Sequence, residues 1–372
     1  MRYFKWSLVI VIILLITLYL PQFGQKPEGF NKEKIMKSKN HFEDKFQNTG
    51  GIKPNMTPIK MLPLIPKFLS NDSERIPSWT IPVLKRNKRE FEGLNDSLIR
   101  ITWFGHSTFM LEIDGKRIMM DPVFGQSVSP ISCFVRRFNE NLPLEIEDLP
   151  QIDAVIISHD HFDHLDKEAI IQLKDKVKKI FVPLGVGSHL IDWGVAAENI
   201  SESDWWEEVH FNELTITCTP SQHFSGRGLT DRNNTLWCSW VITGKSRKVF
   251  FSGDSGYFKG FKEIGEKYGP FDVCMMECGQ YDELWHEIHM YPEETVKAFK
   301  DLKGKVLIPM HWGSFSLSLH KWNEPVKRLI KAAALEKIII ATPMIGESIV
   351  YPGEIPQLKW WSRNYVDPIL FN

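Results

Sequence analysis

The chain is poor in cysteine for its length and has no CxxC pair: Cys133, Cys218, Cys238, Cys274 and Cys278 are scattered through 372 residues. An odd, dispersed set of this kind excludes a disulfide scaffold and a zinc finger. An excess of either charge is also missing, with 45 Lys and Arg set against 46 Asp and Glu. A binder of phosphate backbones needs a basic surplus or stripe, so no nucleic-acid partner is expected. Internal repeats and low-complexity tracts are absent. Hydrophobic residues make up 43% of the chain and charged residues 24%, which rules out wholesale disorder. Long apolar runs are missing too, save one.

That run extends from Trp6 to Leu20, behind Arg2 and Lys5, and no charge follows until Lys26. At ~1.5 Å of rise per residue it stops just short of a ~30 Å hydrocarbon core, and the uncharged flank to Gln25 extends it. A secretory signal shares the basic start and apolar middle. No small-x-small cleavage site follows Leu20, however, and no nearby cysteine offers lipid attachment. Residues 1–25 are therefore read as a single-pass membrane anchor, with a cleaved signal and a buried core helix as alternatives. Residues 26–95 are rich in Lys, Asn, Pro and Glu and show no sustained period, which suggests a linker. Within them, Pro54 to Leu69 mixes prolines with Met, Leu, Ile and Phe. Proline at that density argues against a regular helix, so an extended arm is expected, lying over the domain's own core or against lipid.

From Leu98 onward, short β-rich runs alternate with helical ones. Strands are expected at Ile99 to Phe104, Thr108 to Ile113, Arg117 to Met120, Ala154 to Ile157, Lys179 to Pro183 and Leu214 to Thr219. Others are expected at Leu236 to Thr243, Lys248 to Phe251, Val273 to Met276 and Lys305 to Pro309. Helices are expected at Lys167 to Asp175, Pro292 to Leu302 and Glu324 to Leu335. The fold class is thus α/β over residues 96–372, two sheets packed face to face with helices outside.

Polar residues recur where the apolar strands stop. After Ala154 to Ile157 and Ser158 comes His159-Asp160-His161-Phe162-Asp163-His164. In a strand-end turn His159 and His161 can bind one metal while Asp163 and His164 reach a second. Imidazole nitrogen and carboxylate oxygen, without thiolate, suit Zn²⁺ in an open catalytic site. Three later strand ends carry His223, then Asp254 flanked by glycines, then His311. Together with the cluster they complete two metal sites sharing one carboxylate.

The run HDHFDH with His223, Asp254 and His311 resembles the metallo-β-lactamase superfamily and its four-layer αββα sandwich. WFGHST (103–108), DPVF (121–124), ISHDHFDHLD (157–166), TPSQHFSGRG (219–228), SGDSGYF (252–258), HMYPEE (289–294) and MHWGSF (310–315) narrow the likeness. They resemble the family of N-acylphosphatidylethanolamine-hydrolysing phospholipases D, including its bacterial members. The resemblance implies two zinc ions per chain, with iron or manganese as alternative occupants of one position. His159, His161 and His223 would bind one ion; Asp163, His164 and His311 the other; Asp254 would bridge. Asp163 and His289 are the implied catalytic side chains, His289 lying near the substrate phosphate. His106 and Asp121 would orient ligands through hydrogen bonds.

The implied reaction is hydrolysis of N-acylphosphatidylethanolamine or a related phospholipid by a metal-bridging hydroxide, with the phosphate kept on the glycerolipid. Its partners are the phospholipid and the bilayer surface. Two other readings stand beside it: a dizinc hydrolase of a sugar-phosphate lactone or cyclic phosphodiester, and a metal-binding membrane protein without turnover. Trp205, Trp206, Trp285, Trp312, Trp360 and Trp361 are candidates either for an acyl channel or for core.

Overall fold

A computed structural model describes residues 32–52, 56, 58–70, 74–228 and 230–362. The expected anchor over residues 1–25 lies outside the described residues. Among those described, no helix is long and apolar enough to cross a membrane.

The chain opens with a short helix, α1 (Lys32–Lys37), and a two-stranded ribbon, β1 (His41–Phe42) and β2 (Lys45–Phe46). Next come α2 (Pro58–Met61), a 3₁₀ turn (Leu62–Leu64) and α3 (Ile65–Leu69). This corrects the extended arm expected over Pro54 to Leu69. Pro63 and Pro66 fall in the first positions of their respective turns, where no backbone N–H is needed, so proline starts these turns rather than breaking them. The stretch read as a linker, residues 26–95, contributes to the packing where it is described. Ile35, Phe46, Ile81 and Phe91 are all buried, three of them in the main core.

The domain's strands follow in order: β3 (Ile99–Gly105), β4 (Thr108–Ile113), β5 (Lys116–Met120), β6 (Ala154–Ile156), β7 (Lys179–Pro183) and β8 (Ile200–Ser203). Then come β9 (Glu208–Phe211), β10 (Leu214–Thr219), β11 (Ser239–Thr243), β12 (Lys248–Phe251), β13 (Phe271–Glu277), β14 (Gly304–Met310), β15 (Ile339–Ile340) and β16 (Ser348–Tyr351). They form two seven-stranded sheets of order β16-β3-β4-β5-β6-β7-β8 and β15-β14-β13-β12-β11-β10-β9. Both are mixed: β5 to β8 run parallel, as do β12 to β15, and the remaining pairs are antiparallel.

The side-chain period of two builds the layers. Phe109, Leu111, Ile118, Met120, Ala154 and Ile156 face the second sheet. Met110, Met119, Val155 and Ile157 face outward, under α4 (Lys167–Leu173) and α5 (Gly187–Asp192). Three helices, α6 (Gly260–Lys267), α7 (Pro292–Asp301) and α8 (Glu324–Leu335), bury Phe261, Phe299 and Leu329 on the other sheet. The result is a four-layer αββα sandwich. Trp103, Trp312 and Trp360 stack between the sheets at 5.0 to 5.8 Å, so most of the tryptophans offered for an acyl channel are core. Trp205 and Trp361 are buried there too, and Trp206 packs on Tyr268; Trp285 alone of the six lines a cavity beside the histidines.

Candidate metal centre

The expected site residues meet at one edge of the sandwich, where β6, β10, β12 and β14 end. Ser158 to His164 leaves β6; His223 follows β10; Asp254 follows β12; His311 follows β14. Parallel strands deliver their C-terminal ends to the same edge, which is how residues distant in sequence converge. His159, His164, His223, Asp254 and His311 are almost wholly buried, and His161 is half-buried.

Two groups form. In the first, His159 Nε2 lies 2.9 Å and His223 Nε2 3.2 Å from His161 Nδ1. Donors bound tetrahedrally at zinc–nitrogen lengths of about 2.0–2.1 Å stand roughly 3.3 Å apart, so the spacing suits a cation. In the second, Asp163 Oδ2 lies 3.4 Å from His164 Nε2 and 3.9 Å from His311 Nδ1. Asp254 sits between the groups. Its Oδ2 is 3.1 Å from His164 Nε2, 3.8 Å from His223 Nε2 and 3.9 Å from His159 Nε2, while Oδ1 is 3.2 Å from His311 Nδ1. His164 Nε2 and Asp254 Oδ1 are buried without a hydrogen-bond partner, as atoms are that serve as metal donors. The donor set therefore fits divalent cations.

Each imidazole is aimed by what its other nitrogen touches. His164 Nδ1 donates to Asp121 Oδ2 at 2.7 Å, and Asp121 also accepts from Ser158 N and Ser158 Oγ. His223 Nδ1 donates to the Ile288 carbonyl at 3.0 Å. His106 Nε2 lies 2.9 Å from Asp163 Oδ2, close enough to group with Asp163, His164 and His311. His106, Asp121 and His311 adopt φ of 51°, 39° and 66°, left-handed values uncommon outside glycine that cluster at functional sites. Gly253, at φ 53°, passes so close that an added Cβ would lie 2.7 Å from the Cys238 carbonyl, which lets Asp254 approach both groups.

Burial holds His159, His223 and His311 well below the ordinary histidine range, and repulsion from neighbouring imidazoles adds to it. Neutral imidazole is the form a metal takes. Burial pushes Asp254 up to about 7 against the pull of His164. Divalent cations at the site would reverse that balance.

His289 lies beside this centre, its ring 5.0 Å from His223 and 5.2 Å from His311. Its Nδ1 is 3.2 Å from both oxygens of Glu277, a fully buried carboxyl that also accepts from Ser255 N and Met290 N at 2.8 Å. Glu277 was not among the expected residues. Its signal was of the same kind as the rest, a polar residue ending an apolar strand. Asn48 was missed too: its side chain accepts from His223 N at 3.0 Å and donates to His223 O at 2.8 Å. Nothing in a lone asparagine, so far from His223 in sequence, announces that clamp.

The centre opens into a cavity of about 190 Å³ lined by His161, Asp163, Asp254, His289 and His311 and by apolar Met56, Met61, Phe68, Phe224 and Trp285. The turns from α2 to α3 roof it, with Leu64 packed on Trp285 and Ile288.

Comparison with known proteins agrees with this architecture. A family model described as a β-lactamase superfamily domain matches residues 116–312. An uncharacterised protein of Mycobacterium tuberculosis is 41% identical over 299 residues, 79% of each chain. The N-acyl-phosphatidylethanolamine-hydrolyzing phospholipase D 1 of Caenorhabditis elegans is 33% identical over 299 residues, 76% of this chain and 83% of that one. Among solved structures, a metallo hydrolase of Ignicoccus hospitalis aligns with a TM-score of 0.54 at 22% identity, over 69% of this chain and all of its own; it speaks to the fold alone. With sandwich, convergent donors and sequence likeness in agreement, the chain belongs to the metallo-β-lactamase superfamily as a metal-dependent hydrolase homologous to N-acylphosphatidylethanolamine-hydrolysing phospholipases D.

Proposed function

We propose that the chain is a dizinc phosphodiesterase of phospholipase D type, acting on N-acylphosphatidylethanolamine or a related phospholipid at a bilayer. The observation that carries this reading is the roof of the cavity. Its inner side, Met61, Leu64 and Phe68, covers the centre, while Ile59, Leu62 and Ile65 on its outer side are 82%, 61% and 48% exposed. A helical segment that is apolar on both faces, one toward a reaction centre and one toward solvent, suits an enzyme whose substrate comes out of lipid. The Trp6 to Leu20 run, read as an anchor, would hold the chain there.

In this reading His159, His161 and His223 would hold one ion, Asp163, His164 and His311 the other, and Asp254 would serve both. When bound, the two cations supply polarisation of a phosphoryl oxygen and activation of a water. The chain's own groups do the rest. His106 fixes the Asp163 carboxylate, which lines the cavity. Asp121 fixes His164. Glu277 accepts from His289 Nδ1, so that the imidazolium form of His289 would have Nε2–H as the group able to pass a proton to the departing alcohol. The apolar walls lower the polarity around the phosphorus, which strengthens the polar interactions made there.

The test is product analysis with zinc-loaded protein on vesicles containing N-acylphosphatidylethanolamine. Phosphatidic acid and N-acylethanolamine are the expected products. Turnover of lactones or cyclic phosphodiesters without any phospholipid cleavage would replace this reading with the other hydrolase.

A further inference from the structure

Beside the metal cavity lies a larger pocket of about 540 Å³ to which the metal chemistry gives no role. The two share Met56 and Phe224. His223 reaches into this pocket as well, and Phe224 stands beside it, its ring centre 4.4 Å from that of His161 and 4.8 Å from that of His223. Against the same ring, the guanidinium carbon of Arg232 stands 4.1 Å from the ring centre. Stacking of this kind fixes the guanidinium plane and leaves its edge donors available to a ligand.

Among the described residues, no acid pairs with this cation. Burial alone moves its pKa, downward, with no carboxylate contributing. The adjacent Asp231 is occupied, accepting from the backbone N–H groups of Arg227 and Gly228. Lys45 lines the pocket as well and donates to Asn234. Glu43 also lines it, so the local charge is modestly positive and suits a singly charged anion better than a dianionic phosphate. A planar guanidinium matches the two oxygens of a carboxylate.

We propose that Arg232 forms an anion subsite that takes a carboxylate carried by the substrate's head group. The inference rests on the phospholipase reading for the identity of the substrate. With the scissile phosphate at the metals, the guanidinium is one aromatic ring away. That span places the anion a few bonds from the leaving oxygen, as in a serine head group, and not far along an acyl chain. An N-acylated ethanolamine carries no such charge, so the subsite makes the enzyme selective for anionic heads.

Short-chain N-acylphosphatidylserine and N-acylphosphatidylethanolamine, both kept below micellar concentration, are compared on the zinc-loaded full chain and on Arg232→Gln. We expect kcat/KM to favour the serine head by about tenfold or more, and the variant to bring that ratio to about one. Calorimetric titration with N-octanoylserine and N-octanoylethanolamine reads the subsite without turnover, and the same difference and the same loss are expected. If neither phospholipid is cleaved, the phospholipase reading falls while the titration still decides the subsite. Equal binding of the two ligands by the unaltered chain, or a preference that survives in Arg232→Gln, overturns the proposal. A difference between the two proteins seen only on anionic vesicles overturns it too, because Arg232 would then be sensing the bilayer surface.

Discussion

Asp254 turns one oxygen toward His164, His223 and His159 and the other toward His311. Its amide would keep the shape and lose the charge that would neutralise the two proposed cations. Asp254→Asn is therefore expected to lower turnover by at least ~100-fold and to weaken metal retention while the fold survives. Kinetics and metal analysis on one preparation check this, and a variant that keeps both ions and near-normal turnover would sink the shared-carboxylate assignment. Glu277 poses a different question. Three donors point at it, so Glu277→Gln sets an amide N–H against one of them and frees the His289 ring. If His289 passes a proton to the leaving alcohol, cleavage of the lipid should fall by about 10- to 100-fold. Cleavage of bis(p-nitrophenyl) phosphate, whose leaving group needs no proton, should fall far less. Equal losses on both substrates would leave Glu277 a purely structural residue.

Elements with strong periodicity were legible in the sequence. The expected bounds of Lys179–Pro183, Leu214–Thr219, Lys248–Phe251 and Glu324–Leu335 are those observed. Strands β8 (ISES) and β9 (EVHF) were missed because little in them is apolar: β9 sits at a sheet edge, where one flank needs no burial. The roof was misread because proline was weighed as a helix breaker without regard to its place in the turn. The same contrast holds at the site. The histidine and aspartate cluster announced itself by adjacency in sequence and Glu277 carried the strand-end signal unread, whereas Asn48 acts through tertiary contacts that no local pattern encodes. The roof itself can be tested from its outer side. Replacing Ile59, Leu62 and Ile65 together by serine leaves Met61, Leu64 and Phe68 in place. Activity on vesicles should drop several-fold more than activity on a short-chain soluble phosphodiester. Equal effects would remove the argument that this face meets lipid.

On the scale of the whole molecule, the metal centre is also a structural joint. Strand ends from both sheets and, through Asn48, the N-terminal segment meet there, and the imidazoles crowd to ring separations of 4.2 to 5.2 Å. Cations bound only by the folded chain stabilise it, by about 4 kcal/mol at a thousandfold excess over Kd. Chelation should accordingly lower Tm by several degrees, and Asn48→Ala should lower the chelator concentration needed to strip the ions. An unchanged Tm after complete metal removal would show that the joint holds without them.

The reach of one carboxylate into two groups of histidines has a consequence for supply. On the proposed two-ion reading, whichever ion arrives first would draw Asp254 into its negatively charged form and so prepare the place of the second, and thermodynamic reciprocity would make the help mutual. Half-loaded molecules should then be scarce. On that reading, as free metal declines, a population of this protein would divide into chains carrying two ions and chains carrying none, and its activity would fall over a narrow range of metal concentration, like a threshold on the cell's metal reserve.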